Sequence, residues 1–549
     1  MATERTPLQS PHTTVGGPRR VQCDEYGYDY VDDDGPDGLE LSDDDDDDDE
    51  ARRQARAQMS EFFRPGSSIM SVQEEEKQRT VAHIAYALLA LLVLFFVWSS
   101  LHSASQSLPV SVESGVLIDD DDFFCGLKDY EAGYIKLANK KDDDYFYWYI
   151  QSSSAEPSKD PLVLWLTGGP GVPSTVALLS ENGPCLVQPD GMTTKLNPYA
   201  WTNAANVIWL DQPTNVGFSY GVKEDADSTE TNVGENIFWF LEGFFDKHPE
   251  LQDRAFFITG ESYGGHYVPA AAHYILAQMK QRDLSAFNAS TKSINLKGIA
   301  IGNGLVDAAI QFPRYIDMAD NAYNITFVNA MQLAKMKELA PECEKRVREC
   351  QANLALCADA QEFCQSNLDE PFTSASQRNP FDIRKFCIAG DAQTCNSMDH
   401  VANYLNLPDV RSKVHVNDEN VGVWTLVKED VQSTFTESGD AMVSYSGYVA
   451  DLLNDGIRVL VYTGDADLAC NWLGSQAWTR EMQWEGKAGF NAAEEQLFIT
   501  NAGVEAGIFR TLDNRLTFLR VFNSGHMVPQ DQPVVALDMI DKFLRNVSL

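Results

Sequence analysis

One stretch of this chain constrains its fold more than any other: Ala255-Phe-Phe-Ile-Thr259, then Gly260-Glu261-Ser262-Tyr263-Gly264-Gly265, then a helical pattern from Tyr267 to Met279. An apolar run, a Gly-x-Ser-x-Gly turn and a helix make a strand-turn-helix that exposes its serine on a sharp bend. The glycines flank the serine because the bend leaves no room for Cβ atoms beside the strand and helix backbones. Ser262 is therefore read as a nucleophile. Similar runs recur at Phe146 to Ile150, Leu162 to Leu166, Val207 to Leu210, Ile299 to Ile301, Val459 to Tyr462 and Phe518 to Phe522, with a further helical pattern at Glu235 to Phe245. Strands alternating with helices imply an α/β class with a mostly parallel sheet, whose functional residues lie where strands end. The stretch from about 310 to 404 breaks the alternation and is read as an inserted helical cap.

A serine nucleophile needs an imidazole base, and α/β hydrolases supply acid and base in the order Ser, Asp or Glu, His. Of nine histidines, only His526 follows a late strand in a Gly-flanked loop, Asn-Ser-Gly-His-Met-Val-Pro. His266, four residues beyond Ser262, is read as structural, and His273 as packing on the same helix. The acid should also end a strand. Arg458-Val-Leu-Val-Tyr-Thr-Gly-Asp465-Ala-Asp467 offers two candidates, and spacing selects neither. Oxyanion binding needs backbone N–H donors aimed at the developing charge. The glycines of Thr167-Gly168-Gly169-Pro170-Gly171 let backbone approach substrate, so the amides of Gly169 and Tyr263 are the expected donors. The loop lacks the Gly-Lys-Ser/Thr of a phosphate loop, and no metal or other cofactor is expected.

Ahead of this region lies a different kind of sequence. Residues 1 to 80 hold 21 Asp/Glu and 9 Lys/Arg, with acidic runs at Asp32 to Asp34 and Asp43 to Glu50, the composition of a disordered tail. Val81 to Trp98 is apolar apart from His83 and, at 1.5 Å per residue, spans roughly 27 Å, enough for a transmembrane helix. Arg64, Lys77 and Arg79 precede it, whereas no Lys or Arg occurs between Trp98 and Lys128, so the tail is expected in the cytosol. The chain then reads as a single-pass type II protein: tail 1–80, signal anchor 81–98, stem 99–122 and a lumenal or extracellular domain 123–549. Tyr28-Asp-Tyr-Val31 beside an acidic cluster resembles a sorting signal for cytosolic adaptors. The formal charge of −39 argues against nucleic-acid binding, which needs a basic stripe.

Cysteine and sugar signals fit that orientation. Nine of the ten cysteines lie beyond the span, so at least one is unpaired or pairs outside the chain. Six fall between Cys343 and Cys395, four of them at an interval of seven, which places them near one face if Pro341 to Cys364 is helical. Without Cys-x-x-Cys or His-Glu-x-x-His, disulfides stapling the cap are the better reading than metal. Three glycosylation sequons begin at Asn288, Asn324 and Asn546, all beyond the span.

The chain from about 125 to 549 resembles the serine carboxypeptidases of the carboxypeptidase Y type. The matching blocks are Trp165-Leu-Thr-Gly-Gly-Pro-Gly171, Asn206-Val-Ile-Trp-Leu-Asp-Gln-Pro213, Gly260-Glu-Ser-Tyr-Gly-Gly-His-Tyr-Val-Pro269, Ile301-Gly-Asn-Gly304, Tyr462-Thr-Gly-Asp-Ala-Asp467 and Phe522-Asn-Ser-Gly-His-Met-Val-Pro529. The resemblance implies an α/β-hydrolase fold and an exopeptidase, most active at acid pH, that removes carboxy-terminal residues from peptides and proteins through an acyl-enzyme. It implies Ser262, Asp467 and His526 as the triad, with Gly169 and Tyr263 as the oxyanion hole. Trp165, Thr167, Gly168 and the acid pair Glu181 and Glu261 are the implied holders of the substrate's carboxylate, and Cys470 and Met527 the implied pocket lining. An acidic vacuole-like or lysosome-like lumen, or the cell surface, is the expected location.

Two departures stand out. Where the family usually has Trp-Leu-Asn-Gly-Gly-Pro-Gly-Cys-Ser-Ser, this chain has Thr167, Val172 and Pro173 in place of Asn, Cys and Ser. Losing that Cys makes Cys125 and Cys185 candidate partners and leaves Cys470 as the expected free thiol. Losing the Asn removes a two-proton donor from the carboxylate site. An acyltransferase or esterase on the same scaffold is therefore an alternative, and a non-catalytic protector or sorting protein a third.

Overall fold

The computed structural model describes residues 123–284, 293–387 and 397–549. The tail 1–80, the span 81–98, the stem 99–122 and the sequon at Asn288 lie outside the described residues. Among the described residues, no helix is long and apolar enough to cross a membrane.

Ten strands build the main sheet: β1 Tyr130–Lys136, β2 Asp143–Ile150, β3 Leu162–Thr167, β4 Asn206–Leu210, β5 Phe256–Glu261, β6 Leu296–Gly302, β7 Arg458–Gly464, β8 Gln496–Ile499, β9 Glu505–Leu512 and β10 Leu516–Val521. They lie in the order β1-β2-β4-β3-β5-β6-β7-β10-β9-β8, and the short strand Tyr220–Gly221 pairs with β2. The six inner strands, β4 to β10 in that order, are parallel, and antiparallel pairs flank them on both edges. This is the mostly parallel α/β-hydrolase-like sheet that the alternating runs implied.

The inner strands read as continuous apolar runs because both faces are covered. Side chains alternate across a strand, so Leu162, Leu164 and Leu166 of β3 enter one core while Val163 and Trp165 enter the other. The first core is closed by α2 Glu230–Lys247, α3 Gly264–Leu284 and α6 Ser446–Asn454; the second by α1 Thr175–Ser180 and α7 Pro533–Leu544. Each large side chain buried this way contributes about 1.5–3 kcal/mol.

Between β6 and β7 the chain leaves the sheet. Helices α4 Ala330–Cys350 and α5 Cys357–Cys364 form a hairpin with a core of its own, which includes Met318, Phe327, Met336, Val347, Leu368 and Phe372. The four cysteines at sevenfold spacing do not share one continuous helix: the chain reverses after Cys350, and Cys343 pairs with Cys364 while Cys350 pairs with Cys357. An interval of seven repeated on both sides of a tight reversal puts the cysteines opposite each other in two rungs. Cys125 is bonded to Cys185, and Cys387 is also disulfide-bonded. Within the expected cap, Val401 and Tyr404 pack into the second core of the sheet instead of the cap's own core.

Candidate active site

Ser262 follows the last residue of β5 directly and has φ of +63°, a left-handed conformation uncommon for a non-glycine residue. The strain is held by hydrogen bonds on both sides: its N–H donates to Gly302 O at 3.1 Å, and its carbonyl accepts from Leu305 N–H at 3.1 Å. A Cβ on Gly260 would stand 2.5 Å from Leu166 O and one on Gly264 2.9 Å from the same atom, so both flanking glycines are required. A Cβ on Gly168 would collide with the amide nitrogen of Tyr263, which places the Gly168-Gly169 backbone against the turn.

His526 and Asp467 come from the loops after β10 and β7. The His526 Nδ1 lies 2.8 Å from Asp467 Oδ2. Asp467 also accepts from the backbone amides of Ala469 and Cys470, so Nδ1 is the protonated ring nitrogen and Nε2 is left as the base. Asp467 is 0% exposed and His526 5%. The second acid candidate is engaged elsewhere, since Asp465 accepts from Tyr323 Oη at 2.5 Å and faces Arg520 at 3.4 Å. Geometry therefore separates the two carboxylates that sequence left level.

Three residues that the sequence reading gave no role position this pair. Asn303, immediately after β6, donates from Nδ2 to Asp467 Oδ2 at 2.8 Å and to Gly525 O at 3.3 Å. Its signal was visible, a polar residue between glycines at a strand end. Phe381 accepts the His526 amide N–H at 2.8 Å and sets its ring 4.8 Å from the imidazole. Arg384 holds Asp382 through two bonds and donates to Asn523 O at 2.8 Å. Both belong to the cap's hairpin of Arg378–Asn379 and Asp382–Phe386, and nothing local in their sequence marks them.

Ser262 and His526 open into one cavity with Thr167, Gly168, Gly169, Glu181 and Glu261. Apart from Gln432, its remaining wall is apolar and includes Val172, Val176, Leu426 and Met527. Glu181 and Glu261 are each 3% exposed, and their carboxyls hydrogen-bond to each other. Burial, and for Glu261 also the neighbouring Glu181 and Asp467 charges, pushes both well above the usual carboxylate range. The pair retains a proton where a surface glutamate has lost it.

A family model described as serine carboxypeptidase matches residues 126–546. The chain belongs to the serine carboxypeptidase family. Among its relatives, Serine carboxypeptidase-like 49 of Arabidopsis thaliana is 37% identical over 420 residues, covering 76% of this chain and 77% of the relative. Carboxypeptidase Y homolog A of Sclerotinia sclerotiorum is 35% identical over 422 residues, covering 76% and 73%. The fold matches the crystal structure of Kex1(delta)p, a prohormone-processing carboxypeptidase from Saccharomyces cerevisiae, with a TM-score of 0.64 at 24% identity, covering 76% of this chain and 92% of that one.

In this serine carboxypeptidase the other expected site residues are distributed unevenly. Trp165 is fully buried and does not line the cavity; its indole N–H donates to Thr167 Oγ1 at 2.8 Å. The Thr167 hydroxyl thus has one lone pair engaged by the indole and its proton left for another acceptor. Cys470 is half-buried and free, and is not among the cavity-lining residues; its amide contacts Asp467 from behind. His266 is fully buried with Nδ1 2.7 Å from Leu305 O, and His273 stacks on Tyr448 at 4.1 Å. Asn324 and Asn546 are exposed.

Proposed function

We propose that this carboxypeptidase releases the terminal residue of peptides and proteins by acyl transfer through Ser262, in an acidic compartment. The carrying observation is the buried Glu181–Glu261 pair in the cavity that also holds Ser262 and His526. A protonated carboxyl there donates to a substrate carboxylate, whereas an ionised pair repels it. An esterase site has no use for such a group.

His526 Nε2 takes the Ser262 proton as Oγ attacks the last peptide carbonyl, and Asp467 stabilises the imidazolium that forms. The Gly169 and Tyr263 N–H groups receive the oxyanion. His526 then returns the proton to the departing amine, and water completes the second half by the same route. The substrate carboxylate is held by the Thr167 hydroxyl, the Gly168 backbone and the shared proton of Glu181 and Glu261, with Trp165 fixing the hydroxyl's direction. One charge-assisted bond of this kind is worth roughly 1.5–3 kcal/mol.

The assay offers the full-length chain a blocked dipeptide, its carboxy-terminal amide and its ester at pH 5 and pH 7.5. Release of the amino acid from the free acid, faster at pH 5 and absent in Ser262→Ala, is the expected result. Turnover of the ester alone sinks the reading in favour of an esterase or acyltransferase.

We further infer a type II anchor at 81–98, with the acidic tail cytosolic and available to sorting adaptors. Support comes from Arg64, Lys77 and Arg79 before the apolar run and from sequons on the other side of it. In sealed microsomes, protease should remove an epitope at residue 1 while glycan at Asn324 stays protected; a protected epitope reverses the topology.

A further inference from the structure

A second pair of facing carboxyls lies behind the nucleophile turn. Glu230, the first residue of α2, is 0% exposed, and Asp440, in the turn Asp440–Met442, is 4% exposed. The two carboxyls face each other, and Asp440 also faces the Glu230 backbone N–H. Thr229, the residue ahead of α2, makes no side-chain capping bond, and the Asp440 carboxylate faces this helix start from a segment more than 200 residues away. The same carboxylate accepts the Tyr263 phenol, whose Oη is 2.7 Å from Asp440 Oδ2.

Tyr263 is the residue whose backbone N–H, under the proposed mechanism, faces the oxyanion. Its ring is clamped as well as tethered. It stacks on His266 at 4.5 Å and meets Tyr267 and Phe435 edge-on at 5.4 and 6.1 Å. A residue in a strained turn keeps one backbone orientation only if its surroundings over-determine it. Here the determining contact at the far end of the side chain is a single carboxylate.

We propose that Asp440, held in place by Glu230, is a positioning residue that fixes the Tyr263 amide for oxyanion binding. The inference rests on the carboxypeptidase reading above and adds to it a part outside the cavity. Two ionised carboxylates in contact and out of water repel strongly, so the arrangement requires one proton between Glu230 and Asp440. The groups facing the pair do not replace it. Asp227 is acidic and is paired with Lys140 at 2.7 Å; Tyr263, Tyr267 and Tyr445 are neutral phenols; His266, which also faces Asp307, has its basicity lowered by burial. Burial raises Glu230 and Asp440 together. A carboxyl raised on folding stabilises the fold fully below its unfolded value, and that stabilisation is lost as pH rises towards the folded one. The tether therefore holds in acid and loosens on the alkaline side.

The test measures kcat and KM separately for the full-length chain with the blocked dipeptide, with folding checked by circular dichroism. Tyr263→Phe keeps the ring and the backbone and removes only the bond to Asp440. It should lower kcat about tenfold or more at pH 5 and leave KM within threefold. Glu230→Ala should behave alike, and Glu230→Gln, which still donates to Asp440, should restore kcat and carry it to higher pH than the wild type. Unchanged kcat in a folded Tyr263→Phe, or a Glu230→Gln profile that tracks Glu230→Ala, overturns the proposal. A folded wild type that neither releases an amino acid nor is labelled at Ser262 by a fluorophosphonate overturns the carboxypeptidase reading beneath it, a result separable from the other two.

Discussion

Asp467→Asn should lower kcat for a blocked dipeptide by about four orders of magnitude, close to 5.5 kcal/mol of transition-state stabilisation, while Asp465→Asn leaves kcat within about threefold. The two aspartates are separated by one residue, yet their surroundings differ completely. Asp467 accepts from His526 Nδ1, Asn303 Nδ2 and two backbone amides, so every donor around it presumes a carboxylate. An amide there turns its own N–H group on one of those donors and favours the imidazole tautomer in which Nε2 carries the proton and cannot act as base. Asp465 meets Tyr323 of the cap and Arg520 of β10, and its loss weakens attachment of the cap without changing the base. Steady-state kinetics on the two variants decides the matter, and equal losses would remove Asp467 from its assigned role.

The second large effect concerns pH. In the wild type, KM for a free-acid substrate should rise roughly 10- to 100-fold between pH 5 and pH 8, the equivalent of one charge-assisted hydrogen bond. Glu181 and Glu261 both hold their proton above the ordinary carboxyl range because they are buried against each other. Below that range of loss the pair donates to the substrate, and above it the pair carries like charge towards the substrate's own. The double variant Glu181→Gln/Glu261→Gln has nothing to titrate, so its KM should be flat over the same interval. Stability follows the same sign. A folded-state proton that the unfolded chain releases near the ordinary glutamate value of 4.5 costs stability as pH climbs, so the double variant should melt higher than the wild type at pH 8 and gain less at pH 5. A steep KM profile in the double variant would locate the pH dependence elsewhere.

What the sequence made legible follows from burial. The inner strands were readable because covering both faces leaves an unbroken apolar run, as in Leu162 to Leu166 and Val459 to Tyr462. The outer strands β1, β8 and β9 were not, because they are less fully covered: β8 buries only Phe498 of its four residues. Ser262 and His526 were readable because each sits in a short glycine-flanked turn that a local constraint dictates. The choice between Asp465 and Asp467 was not local, since it depends on Asn303, which arrives from another strand. Trp165 shows the same limit from the opposite side. A motif places it beside the site, but only the fold reveals that its N–H is spent on Thr167.

The loop that carries the catalytic imidazole is held by the inserted hairpin as well as by the sheet, through the Phe381 carbonyl at the His526 amide and the Arg384 guanidinium at the Asn523 carbonyl. Cap and sheet are consequently not interchangeable modules. Grafting the helical insertion of another family member onto this sheet would have to leave residues 378–386 behind, or bring a matching β10 loop along. Substitutions that reshape the cap are therefore easier to accommodate in the disulfide-laced helices than in this hairpin, which holds the loop of the catalytic base.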